Sequence, residues 1–225
     1  MIKYIVGLAL VAGYSWLQWD RNYVYTNNFS PASLQQPVTT QIEEPSFIEN
    51  TPEYDIEISP KLRFEVSGLV VIKRKNESSL LSSASFKSIM PGTLMLAFGD
   101  ALTTKAYKNL VKRGNYVMVK DKQVEDQISS VSMITTSQAA VKKFRSLNQG
   151  DQVTLRGYAG DIKIFKTGER ASGNSISTVG TSKSIIFIRQ AEDITILSRG
   201  SRIFFYLFAA SLSAAAVLLL ALLKP

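Results

Sequence analysis

Apolar residues are distributed along this chain in two regimes. Both ends carry continuous apolar runs, and the middle alternates in short periods. Ile203 to Leu223 contains no charged residue, and its only polar residues besides Tyr206 are Ser211 and Ser213. A helix of that length reaches about 30 Å, the thickness of a bilayer's hydrocarbon core. Arg199, Arg202 and Lys224 bracket the run, and Phe204, Phe205 and Tyr206 sit where interfacial rings collect. The pattern predicts a C-terminal transmembrane helix over 203–223. At the other end, Tyr4 to Trp19 follows Lys3 and closes on Asp20 and Arg21. Residues 1–21 read as an N-terminal membrane segment, either a signal anchor or a signal peptide cleaved after Val11-Ala12-Gly13. Tyr14, Trp16 and Trp19 form an aromatic belt that favours the anchor.

Between the runs the period shortens to that of strands. Five of the seven prolines, Pro31, Pro37, Pro45, Pro52 and Pro60, fall among polar residues. Residues 22–59 therefore read as a Pro-rich linker or loosely packed arm. From Lys61 onward, Leu62, Phe64 and Val66 alternate and Gly68 precedes Leu69 to Ile72, which predicts a long strand bent at the glycine. Thr93 to Phe98 and Tyr116 to Lys120 read as strands, with a short helix around Ala101 to Val111. Ser137 caps a helix that places Ala140, Val141, Phe144 and Leu147 on one face and Lys142, Lys143 and Arg145 on the other. Asn148 and Gly150 end it. Apolar positions are odd at Val153 and Leu155 and even at Ile162 and Ile164, so the inward face shifts register across Gly157 and Gly160. After a loop from Thr167 to Ser184, the run Ile185 to Ile188 and then Ile194 to Leu197 supplies a last strand leading towards the membrane.

This order gives the expected fold class. It is mainly β with one or two helices, an OB-like five-stranded β-barrel over residues 60–198, flanked by N-terminal and C-terminal transmembrane helices. Gly150-Asp151-Gln152-Val153-Thr154-Leu155-Arg156-Gly157 resembles the opening of the fourth strand in many bacterial OB-like domains. A second resemblance is to uncharacterised bacterial proteins with an N-terminal membrane segment and an exported β domain. It rests on Trp16 and Trp19, Pro91 to Gly99, Met133-Ile134 and Gly150 to Gly157. The chain departs from that pattern at Gly92 and Thr93 in place of acidic positions, at Phe98 in place of tryptophan, and at Ser132 in place of histidine. The resemblance implies export and a bacterial inner-membrane location with the β domain periplasmic, and no reaction. Charge is divided on sidedness, because Lys183, Arg189, Arg199 and Arg202 precede the last helix while Lys3 stands at the first.

Composition narrows the chemistry. Cysteine and histidine are both absent, which removes thiolate nucleophiles, disulfides, the commonest metal ligand and the usual general base near neutral pH. No cofactor or metal motif occurs. Gly173 to Ser184 lacks phosphate-loop spacing, since Lys183 does not follow a glycine. Ser82, Ser83, Ser85 and Lys87, like Asp121, Glu125 and Asp126, read as ordinary loop composition, and no catalytic residue is assigned. The net charge is +8, with Lys105, Lys108, Lys112, Arg113, Lys120 and Lys122 forming a basic patch in which Tyr107 and Tyr116 are interleaved. Such a patch suits anionic headgroups or, with aromatic platforms, single-stranded nucleic acid. In the last helix, the small residues Ala209, Ala210, Ser211, Ser213, Ala214 and Ala215 recur at spacing four and offer a packing face. The partner is this chain's own first segment through Gly7 and Gly13, or another subunit. The expected protein is a membrane-anchored, non-catalytic binding or scaffolding component of an inner-membrane assembly. The competing readings are a cytoplasm-facing OB module that binds nucleic acid and a membrane-tethered Ser/Lys hydrolase.

Overall fold

A computed structural model describes residues 2–18, 26–75, 88–113, 116–118, 122–167, 169–177 and 184–223. Among these residues the chain is mainly β sheet with four α-helices. Two long strands organise it: β3, Tyr54–Lys75, and β8, Gln152–Lys166. They pair antiparallel from Tyr54 opposite Lys166 to Leu69 opposite Gln152. Along the other edge of β3 lie, in turn, β2 (Phe47–Asn50), β1 (Val38–Gln41) and β4 (Gly92–Ala97). Along the other edge of β8 lie β9 (Glu169–Ser177), β10 (Ser184–Phe187) and β11 (Ile194–Ser198). β4 pairs antiparallel with β7, Ile128–Ile134, and β7 pairs parallel with β10. A single pair, Phe187 opposite Tyr158, joins β10 to β8, so the pairings β3–β4–β7–β10–β8–β3 return to their start. β5 (Val111–Arg113) and β6 (Tyr116–Met118) form a separate hairpin.

Alternation distributes the apolar side chains among three clusters. Phe64, Val66, Leu94, Leu96, Val131, Met133, Val153, Leu155 and Ile186 point into the central one. The nine-residue helix α3, Gln138–Ser146, adds Ala140 and Phe144 to it, and Leu147 follows. Its N-terminus is fixed as the sequence predicts, with Ser137 Oγ accepting the Ala140 N–H at 3.2 Å. Ile56, Ile58, Ile162, Ile164 and Phe187 build a second cluster, so the two long strands change the face they bury partway along. The change falls where β3–β8 pairing shifts between Pro60 and Leu62, opposite Gly160 and Ala159. A proline has no N–H to give the ladder, and a bulge is where it is tolerated. Leu69, Val71, Ala97, Leu102 and Tyr107 form the third cluster.

Several expectations are corrected. The Pro-rich stretch 22–59 is not a spacer where it is described. It holds a 3₁₀ turn at Pro31–Leu34, β1, β2 and the start of β3. Its prolines punctuate short edge strands instead of solvating a linker. The loop expected over Thr167 to Ser184 contains β9, which pairs with β8. The helix expected around Ala101 to Val111 is split into α2, Asp100–Thr103, and a 3₁₀ turn, Ala106–Asn109, because Lys105 between them takes a left-handed φ of 60°. β6 accounts for part of the strand expected at Tyr116 to Lys120, and Lys120 lies outside the described residues.

At the ends of the chain, α4 spans Ile203–Leu223. It is the one helix among the described residues long and apolar enough to cross a membrane. The expected N-terminal transmembrane helix is not evident. α1, Ile2–Gln18, has 17 residues, short of the roughly 20 ordinarily required, and its side chains are mostly exposed. It packs along α4, with Tyr14 against Phe204 and Trp16 against Phe208 at ring separations of 6.2 and 5.6 Å.

Phe144 is fully buried where α3 meets the central cluster. Phe144→Ala is expected to lower stability by about 3–5 kcal/mol, read from chemical denaturation of the full chain followed by circular dichroism. A loss below about 1 kcal/mol would mean that α3 does not close this core.

Candidate functional site

The densest polar constellation lies at the turn from α3 into β8, and three consecutive residues build it. Gly150 sits in the left-handed region at φ 91°, which reverses the chain after Asn148. Its N–H donates to Val70 O, and the Val70 N–H donates to Asp151 O, both at 2.8 Å, so the turn is bonded into β3. The Asp151 side chain is only 1% exposed, yet it is ionisable. Burial of a carboxylate is tolerated only where donors replace its water. Four do so. Oδ2 accepts from the Asn148 N–H at 2.9 Å and Arg199 Nη1 at 3.0 Å, and Oδ1 accepts from the Gly200 N–H at 2.8 Å and Arg202 Nη2 at 3.4 Å. Three of these donors belong to the segment that leads from β11 into α4.

Gln152 performs the corresponding task for the chain arriving from α1. Its Oε1 accepts from the Ser30 N–H at 2.7 Å and Ser33 Oγ at 3.2 Å. Its Nε2 donates to Asn28 O at 2.7 Å and to Ser198 Oγ at 2.8 Å. Thr26 Oγ1 donates to Gly150 O at 3.4 Å, and Tyr107 OH donates to Thr26 O at 2.7 Å. Gly150-Asp151-Gln152 thus fastens both connectors, 26–33 and 198–202, to the same end of the β domain. The fit excludes side-chain bulk, since a Cβ on Gly200 would stand 2.7 Å from Gly150 Cα and closer still to its carbonyl carbon. Arg199 Nη1 also donates to Ser146 O at 2.9 Å, which ties in the end of α3.

The residues expected to form sites are placed as follows. In α4, the buried or half-buried positions within the helix are Phe204, Phe208, Ala209, Ser211, Ala215 and Leu218; all but Ala209 follow heptad-like spacing, and Phe204 and Phe208 meet rings of α1. Of the expected packing residues, Ser211 is buried and Ala209 and Ala215 are half-buried, whereas Ala210, Ser213 and Ala214 are exposed. Ser213 Oγ bonds back to Ala209 O at 2.9 Å. α1 meets this seam through Ile5, Leu8, Ala12 and Ser15. Gly7 and Gly13 are not the contact, for a Cβ on either would meet nothing within 4 Å. Ser15 Oγ is buried with no hydrogen-bond partner among the described residues.

In the basic patch, Lys105 is exposed and Lys108 is half-buried, with Nζ 5.9 Å from the Tyr107 ring centroid. Lys112 and Arg113 lie on β5, and Lys122 begins a 3₁₀ turn at Lys122–Gln127. Lys120 lies outside the described residues. Tyr107 offers no platform for a base, because it is fully buried against Phe29 at a ring separation of 5.9 Å. Burial pushes its phenol pKa up to about 12.

Among the described residues no group of three acidic side chains is placed to hold a metal ion. A hollow of about 160 Å³ beside the start of α3 is lined by Thr51, Glu53, Ser88, Ile89, Thr136 and Gln138, and Glu53 Oε2 there accepts from Ser88 Oγ at 3.1 Å. Ser82, Ser83, Ser85, Lys87, Asp121 and Lys183 lie outside the described residues. The clasp itself went unread in the sequence, where the Gly-Asp-Gln segment announces a strand and the two arginines announce a membrane edge. One signal was present: Asp151 is the only carboxylate between Asp126 and Asp161. No protein-family model, curated protein or solved structure matches this chain.

Asp151→Asn preserves shape but removes the charge facing two arginines. It is expected to destabilise the protein by about 2 kcal/mol, whereas Arg156→Gln, which breaks the exposed pair with Glu65 at 3.0 Å, changes stability by less than about 1 kcal/mol. Equal effects in denaturant melts would contradict the clasp. Tyr107 supplies a test in pH. With its folded pKa raised, its stabilising contribution is complete below the unfolded value near 10 and is lost as pH rises towards 12. Ultraviolet titration should show one tyrosine ionising last, and Tyr107→Phe should abolish that step. A last step that persists in the variant would reassign it.

Proposed function

We propose that this chain is a membrane-anchored, non-catalytic binding or scaffolding protein, in which α4 lies in the bilayer and the β domain is presented immediately at its surface. The observation that carries this reading is the Asp151 clasp, which holds residues 199–202 against the domain directly before the apolar helix begins. A free tether would instead leave that segment solvated. The apolar side chains exposed on α4, among them Ile203, Leu207, Leu212 and Leu220, support burial in lipid. With α4 as the anchor, the lipid bilayer is the first partner, and other membrane subunits, or a second copy, are the next.

The closed circuit of pairings, the parallel β7–β10 pair and the placing of α3 between the third and fourth strands of that circuit support an OB-type five-stranded barrel. The resemblance to exported bacterial β-domain proteins favours an inner-membrane location with the domain in the periplasm. A nucleic-acid module is disfavoured by the burial of Tyr107 within the basic patch.

The chain contains no cysteine, so one introduced thiol reports without background. Thr40, exposed on β1, is a suitable position. In spheroplasts, Thr40→Cys is expected to react with a membrane-impermeant maleimide before lysis, and the protein is expected to stay with the membrane in alkaline carbonate. Labelling only after lysis would overturn the exported orientation. Release by carbonate would overturn the anchor.

A further inference from the structure

We infer that the surface formed by the end of α3 and the approach to α4 is a docking face for anionic lipid headgroups. The inference rests on α4 lying in the bilayer. Arg202 immediately precedes the first residue of α4, and the bond from Arg199 Nη1 to Ser146 O brings the end of α3 to the same place. Lys142 and Arg145 lie one turn apart on α3, both exposed. Below them Lys73 Nζ donates to Arg145 O at 2.8 Å and Leu147 O at 2.7 Å.

The charge balance here differs from that of the neighbouring sheet. Along β3 and β8, cations are matched by carboxylates: Lys61 with Asp161, Arg156 with Glu65 and Lys163 with Glu57. At the α3 end, among the described residues, the ion pairs are those of Arg199 and Arg202 with the buried Asp151, and the acidic residues Glu192 and Asp193 of the 3₁₀ turn Ala191–Asp193 that packs against α3 pair with neither Lys142 nor Arg145. Among the described residues neither Lys142 nor Arg145 pairs with a carboxylate. A helix C-terminus attracts cations on its own account, and Lys73 satisfies that attraction by reaching the last carbonyls. Among the described residues Lys142 and Arg145 make no such bond, and the Arg199–Ser146 bond holds the end of α3 that carries Arg145 beside the start of α4. Arginine suits a headgroup because its planar donors match two phosphate oxygens at once.

The test uses the full chain in nanodiscs of phosphatidylcholine alone or with about one-third phosphatidylglycerol, read by amide hydrogen exchange over 138–147 and 198–202. Anionic discs are expected to slow exchange about fivefold or more, and high salt should erase the difference. The double variant Lys142→Gln/Arg145→Gln should lose the difference while α4 stays protected. Equal exchange in both discs, or a difference unchanged in the variant, would overturn the headgroup face and leave the anchor standing. Equal protection in zwitterionic discs by inorganic phosphate or by a short oligonucleotide would replace lipid with a soluble ligand. An α4 that exchanges freely in both discs would overturn the anchor first, and this face with it.

Discussion

Four donors converge on the Asp151 carboxylate, two of them backbone amides and two of them guanidinium groups. The relation between the β domain and the terminal helices follows from that convergence. A buried carboxylate that loses a donor is left with a polar atom it cannot hydrate, so each bond at Asp151 also enforces the others. Since three of the donors come from 199–202, the path into α4 is set by the same group that ends the turn after α3. Gln152, one residue on, imposes the equivalent constraint on the chain leaving α1. Two segments far apart in sequence therefore arrive at one end of the domain, and α1 and α4 can pack along each other.

The strand framework makes that arrangement affordable. β3 and β8 remain paired over most of their length, so the turn at Gly150 is bonded to a rigid two-stranded spine at Val70. The bulge at Pro60 lets the same two strands bury one face in the central cluster and the other in the second cluster. Short strands along the outer edges of β3 and β8 then satisfy backbone groups that an exposed edge would offer to other chains. Pro37, Pro45 and Pro52 flank the short strands β1 and β2, and Pro31 opens the 3₁₀ turn before them.

What was legible in the sequence depended on periodicity. The apolar run of α4, the α3 face with its Ser137 cap and the change of inward face near Gly160 all follow from local spacing, and the structure contains each of them. β1, β2 and β9 were not legible, because their own residues are polar and turn-rich; β2 and β9 pair across short turns with the neighbouring long strand, and β1 pairs with β3 more than twenty residues on. α1 was overread, since aromatic and apolar composition resembles a spanning helix even at 17 residues. The clasp was hidden for a different reason. Asp151 and Gln152 lie within a strand-like segment, and their partners at 28–33 and 198–202 stand more than forty residues away, so no local pattern joins them.

This turn holds the β domain in a fixed position relative to α4. Spin labels at Glu192→Cys and Leu220→Cys, both exposed positions in a chain without native cysteine, allow that relation to be measured by pulsed dipolar spectroscopy in nanodiscs. The clasp predicts a single narrow distance distribution that broadens when Asp151→Ala is added. A distribution equally broad with and without Asp151 would contradict it.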